Sequence, residues 1–251
     1  MHEFDLIKKY FSKLSFYNKN SLNLNDDVFF DRSKKLVVSV DTYINKSHFF
    51  DFKKPNLVVK KILRSSISDL ICKGVKPKYY FISGSGNQKT FTKLNLNKIS
   101  LSLKQEQKKF GIHLSGGDTV YSDKLSFTII SVGFSNNLVF RNNAKINDDI
   151  YVTGNLGDSY TGLKILKKDI LLNKHLSKYF IMKYYLPELH LDLAKKLLNF
   201  ANTSIDISDG LFADLDKLIN KQKLSYKISL ADVPISKRLK DMIYQKKLKK
   251  N

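Results

Sequence analysis

The stretch SIDISDGLFADLDKL, residues 204–218, holds Asp206, Asp209, Asp214 and Asp216 in a chain that is otherwise strongly basic, with 44 Lys+Arg against 23 Asp+Glu. Glutamate is confined to Glu3, Glu106 and Glu188, so the acids are overwhelmingly aspartate. Many share one local context, the end of an apolar run or the turn after it. Asp41 ends LVVSVD, Asp118 ends IHLSGGD, and Asp206 and Asp209 bracket the turn after TSID. Asp26 and Asp27 stand before VFF, and Asp69 lies in RSSISDL. Strand ends in α/β folds are where ligand crevices form. Carboxylates converging there repel one another unless cations neutralise them, and Mg²⁺ typically bridges one or two carboxylates to substrate phosphates.

Each signal also has a plain structural reading. Asp206 or Asp209 can cap the helix opening at Gly210. Gly116–Gly117 can be a tight turn, His48 an ordinary imidazole, and GDSYTG (157–162) a helix start capped by Asp158 or Ser159. None is specific alone; the ordered set is.

The elements that must position these residues follow from patterning. Phe4, Ile7, Phe11 and Leu14 fall at helical spacing. KKLVVSVDT (34–42) reads as a buried strand, 57–74 as a helix stopped by Gly74, KYYFISGS as a strand, and 89–110 as a long helix ending at Gly111. IHLSGGDT and KLSFTIISVGF give two more strands. The polar segment 136–147 is the expected domain boundary, giving domains 1–137 and 138–251. Beyond it, DIYVTG, TSIDIS and SYKISLADV read as strands, and GDSYTGLKIL, GLFADLDKLI and a Lys-rich end as helices. The expected class is α/β (α+β), with two mixed domains and no internal repeat.

Composition narrows the function. At 251 residues and 42% hydrophobic content the chain can bury a substantial core. No apolar run approaches the ~20 residues of a membrane span. The start, MHEFDLIKKYF, does not read as a signal peptide, and the single Cys72 excludes an internal disulfide; a cytoplasmic setting is expected. The net charge of +21 invites a nucleic-acid reading, but only Arg32, Arg64, Arg141 and Arg238 are arginines, and forked recognition of bases and phosphates favours arginine. The same charge suits steering of phosphorylated small molecules.

The motifs NDDVFF (25–30), VSVDTYINKSHF (38–49), SDLICKGVKP (68–77), LSGGDT (114–119), YVTGNLGDSYTGL (151–163) and IDISDGL (205–211), taken in order, resemble those of the thiamine-monophosphate kinase family. That family belongs to a superfamily shared with aminoimidazole ribonucleotide synthetase, selenophosphate synthetase and a hydrogenase maturation protein. The resemblance runs from about residue 4 to about residue 237. It implies ATP held between two α/β domains, with several Mg²⁺ ions among aspartates. By position, Asp27, Asp41, Asp69, Asp118, Asp206 and Asp209 would be metal-binding carboxylates, with Ser39 adding an oxygen. Gly117, Asp118, Arg141 and Ser208 would contact ATP, and His48 the thiamine phosphate. The implied reaction is ATP + thiamine phosphate → ADP + thiamine diphosphate, with no general base, and the implied assembly is a homodimer through the N-terminal sheet.

Three departures accompany the resemblance. Val40 stands where the family commonly has Thr, and NNAKIND (142–148) lacks the usual Gly before Asp, which predicts a looser turn. The family's GGEDYEL-like motif and C-terminal stretch, which contact the thiamine moiety, are not found, so the second domain is expected to be incomplete. The competing readings are a truncated nucleotide-binding paralogue without turnover, a superfamily enzyme acting on another substrate, and a basic nucleic-acid-binding protein.

Overall fold

The structure, a computed structural model, describes residues 3–246. One five-stranded mixed sheet organises it: β1 (Phe29–Asp31), β2 (Leu36–Ile44), β3 (Pro77–Gly86), β4 (His113–Tyr121) and β5 (Ser126–Phe134), in the order β1-β2-β5-β3-β4. All neighbours are antiparallel except β3 and β4. A parallel pair needs a crossover, and α3 (Lys93–Phe110) supplies it. Thr92 caps α3 by accepting from Asn95 N–H, and Gly111 ends it in the left-handed conformation. The preceding residues 87–92 do not extend the helix, because Asn87 and Thr90 close a turn on each other's backbone.

Helix α2 (Pro55–Cys72) covers one sheet face. Its Val58, Val59, Ile62, Leu63 and Ile67 share a core with Tyr43, Tyr80, Phe127 and Ile129 of the strands. Helices α4 (Asp158–Leu166), α5 (Lys174–Tyr185), α6 (Leu191–Phe200), α7 (Leu211–Leu218) and α8 (Lys237–Lys246) follow. Tyr184, Tyr185 and Ala194 of α5 and α6 join the same core, so α2 is packed on both sides. The opposite sheet face is open, exposing Val40, Ile44 and Phe134.

The first half matches expectation apart from the added short strand β1, the later start of α3 and the N-terminal segment. The N-terminal segment is helical only in pieces: α1 (Glu3–Leu6), then a π turn over Ile7–Phe11 and a 3₁₀ turn over Ser12–Ser15. The second half differs more. DIYVTG, TSIDIS and SYKISLADV form no ladder among the described residues, and one isolated bridge, Leu156 with Ile235, is all that links extended backbone there. Alternation makes a segment extended, but a strand needs a partner for its N–H and C=O groups, and among the described residues these three form no such pairing. Helices α5 and α6 occur where no element was expected.

Candidate active site

Four structural elements bring acids together. Residues at i, i+3 and i+4 share a helix face, so the last turns of α2 present Ser65, Ser68, Asp69 and Cys72 together. Alternation along β2 turns Ser39, Asp41 and Tyr43 toward α2 and Val40 to the open face. The loop before β1 adds Asp26 and Asp27, and the extended segment 203–206 adds Asp206. Ser39 Oγ donates to the carbonyl of Ser66 at 3.3 Å, Tyr43 Oη to Asp41 Oδ2 at 2.9 Å, and Ser68 Oγ to Asp206 Oδ2 at 2.5 Å. Asp27, Cys72 and Asp206 place a ligand atom each within 4.8 Å of one another.

The charges are poorly balanced at one end of this cluster. Burial, followed by the charges of Asp206 and Asp41, holds the Asp69 carboxyl well above the usual carboxylate range. Burial also raises Asp41 against the Tyr43 hydrogen bond, and raises Asp206 against the bond from Ser68. Asp41 and Asp69 share a hydrogen bond that favours the proton on Asp69. Carboxyls that hold protons so tightly are ones a divalent cation would relieve. The donors are hard oxygens, which suit Mg²⁺; Cys72 is the exception, its thiol pushed up by burial and donating to the Asp69 carbonyl.

At the other end Asp27 is already engaged. Arg141 grips both its oxygens, Nε at 3.0 Å and Nη2 on the other, and Lys73 Nζ lies 2.8 Å from Oδ2. The Arg141 backbone N–H donates to Asp26.

The 204–218 stretch sorts its four aspartates into different roles. Asp214, fully buried at the first turn of α7, accepts from the N–H groups of Ser208, Asp209 and Gly210 at 2.9, 3.0 and 3.0 Å, all on Oδ2. It shapes the loop that carries Ser208 and Asp209. Asp209 is exposed and pairs with Lys217, which also reaches Asp214. Asp216 accepts from Tyr226 Oη on the surface. Neither Asp206 nor Asp209 is the helix cap; Gly210 holds that position.

Asp41, His48, Asp69, Asp206, Ser208 and Asp209 line one cleft of about 3030 Å³. His48 Nδ1 accepts from Ile44 N–H at 3.0 Å, which leaves Nε2 as the protonated nitrogen of the neutral ring. Asp118 and Gly117 stand apart. β4 is the far edge of the sheet, three strands or ~14 Å from β2. Ile82 packs into the core, so Ser83 and its register partner Asp118 turn to the open face. Gly117 has a structural reason to be glycine: at φ 156°, a Cβ would lie 1.9 Å from the Ile82 carbonyl oxygen. The turn at NNAKIND is closed, not loose. Asn147 adopts the left-handed conformation a glycine would (φ 67°), and Lys145 and Asp148 bond reciprocally across it.

Asp26, Lys73 and Asp214 were not singled out as site residues by sequence reasoning. Only the DD and SDG spacings pointed near them, since their partners come from distant segments.

Residues 25–135 match the model of the AIR synthase related protein, N-terminal domain. Thiamine-monophosphate kinase of Buchnera aphidicola subsp. Acyrthosiphon pisum is 34% identical over 246 residues, 95% of this chain and 75% of that protein. The chain belongs to the thiamine-monophosphate kinase family. The Haemophilus influenzae thiamine-monophosphate kinase is 32% identical over 94% of this chain and 73% of its own length. A solved structure described as AaThiL complexed with AMPPCP and TMP superposes with a TM-score of 0.88 at 27% identity, covering 99% of this chain and 79% of that one. The chain thus spans about three quarters of the length of these thiamine-monophosphate kinases.

Proposed function

We propose that the chain catalyses ATP-dependent phosphorylation of thiamine phosphate to thiamine diphosphate, by in-line transfer of the γ-phosphoryl group. The observation that carries the reading is the convergence of Asp27, Asp41, Asp69 and Asp206 beside a cleft that also holds His48 and Ser208, in a fold shared with the AMPPCP- and TMP-bound AaThiL. When bound, Mg²⁺ supplies the positive charge that lets two phosphate groups approach.

The chain's own residues do the positioning. In this reading Asp27, Asp41, Asp69 and Asp206 hold the metal ions, and Ser39 adds an oxygen. Asp209, now paired with Lys217, would hold a further ion. Ser208 and Arg141 contact ATP, and His48 donates from Nε2 to thiamine phosphate. The attacking phosphate oxygen is already anionic, so no side chain need remove its proton; orientation and charge placement are what the site contributes.

The proposed domains, 1–137 and 138–251, are supported by the sheet ending at Phe134 and the AIR synthase match ending at residue 135. A homodimer through the open sheet face is supported by exposed Val40, Ile44 and Phe134, and by exposed Leu114, Val120 and Tyr121 on edge strand β4. It also offers a source for the Asp118 that one chain keeps away from Asp41. ATP use and a free cysteine fit a cytoplasmic setting, and no helix among the described residues is long and apolar enough to cross a membrane. The nucleic-acid reading is weakened because Arg64 and Arg141 are committed to Glu106 and Asp27.

The test is ADP formation from ATP and Mg²⁺ with and without thiamine phosphate, for this chain and Asp41→Asn. Turnover that requires thiamine phosphate and is lost in the variant is expected. ATP binding without turnover would favour the nucleotide-binding paralogue.

A further inference from the structure

Lys73 is the residue the proposed chemistry does not use and the fold goes furthest to bury. It follows the last residue of α2 and its side chain has no exposed surface. All three ammonium protons have acceptors: Asp26 Oδ1, Asp27 Oδ2 and the Ser204 carbonyl, each at 2.8 Å. A fully buried lysine is costly unless paired, so this one is held where a positive charge is required. It ties the loop before β1 to the segment that ends in Asp206.

We propose that Lys73 is a built-in cation that substitutes for one divalent ion at the Asp26–Asp27 end of the cluster. Asp26 and Asp27 carry two negative charges; Lys73 and Arg141 return two positive ones at hydrogen-bond distance. That end is balanced by the chain itself. Among the described residues no lysine or arginine forms an ion pair with Asp41, Asp69 or Asp206, whereas both cations of the cluster sit on Asp26 and Asp27. Divalent ions therefore enter from the Asp41–Asp69–Asp206 side. With Arg141 moved to nucleotide, Lys73 would still hold Asp27 Oδ2 and leave that carboxylate fewer positions for divalent ions. The inference rests on the metal-binding reading proposed above.

The experiment counts Mn²⁺ bound per chain by the electron paramagnetic resonance signal of the free ion, with and without a non-hydrolysable ATP analogue. The proteins are the full chain, Lys73→Met, and Lys73→Met combined with Asp26→Asn. Lys73→Met is expected to bind one more Mn²⁺ than wild type, and the double variant, with its local charge again balanced, the wild-type number. Equal counts in wild type and Lys73→Met would overturn the inference while leaving the metal site intact. No Mn²⁺ on wild type even with the analogue would overturn both. Melting temperature supplies a second reading if Lys73→Met is fragile: Mg²⁺ should stabilise it by more than it stabilises wild type, and an equal shift counts against the proposal.

Discussion

Replacing Asp214 with alanine should disable the site without touching a proposed ligand. One carboxylate oxygen accepts three backbone N–H groups, and the other accepts from Lys217. A hydrogen bond to a charged group contributes about 1.5–3 kcal/mol. The three bonds share one oxygen, and the released amides can be partly rehydrated, so the total falls well short of their sum. About 2–3 kcal/mol is a reasonable figure, and it corresponds to a melting temperature lower by roughly 4–12 °C for a chain of this size. Because the same amides set the path of the loop carrying Ser208 and Asp209, kcat/KM for ATP should fall by roughly 30- to 150-fold if the loss is felt in the transition state. Asp216→Ala is the matched control. It lies two residues on and is exposed, and among the described residues its carboxylate bonds only to Tyr226, so its effect should stay within about 0.5 kcal/mol. Thermal melts and ATP-dependent turnover of the two variants decide the matter. Indistinguishable behaviour would refute the claim that Asp214 organises the loop.

Other expectations follow from the same electrostatics. Asp69→Asn should raise the melting temperature of the metal-free protein, because it removes a carboxyl crowded by Asp206 and Asp41, while abolishing turnover; a loss of stability in EDTA would contradict the charge-crowding account. Asp41, Asp69 and Asp206 all have raised folded-state pKa values. Their stabilising contribution is thus present below the ordinary carboxylate range and lost as pH rises through the folded values. Metal-free protein should accordingly melt at higher temperature as pH is lowered from neutral toward that range, and Mg²⁺ should flatten the dependence. Glu106→Ala, which strands the buried Arg64 held at 2.7 Å, should cost about 3–5 kcal/mol, read by chemical denaturation.

The sequence made the sheet half of the molecule readable, because its signals are local. LVVSVDT is β-branched and ends on Asp41, and Thr92 and Gly111 bracket α3 as caps do. The second half was read less well. DIYVTG and TSIDIS alternate as strands should, yet lie without a ladder because pairing is not a property of one segment. The same distinction governs the site. Asp41, Asp69 and Asp206 were recognisable from strand ends and motif order. The grip of Lys73 and Arg141 on Asp27, and of Asp214 on its loop, depends on segments brought together only by folding. Asp118 shows the converse: its motif was plain, but the sheet order sets it at the edge away from Asp41.

The proposed reaction moves a phosphoryl group from ATP to thiamine phosphate. The most direct test supplies γ-labelled ATP, Mg²⁺ and thiamine phosphate and separates the products. Label in thiamine diphosphate, formed in step with ADP, is the predicted result. Label that stays on ATP or appears only as inorganic phosphate would contradict it.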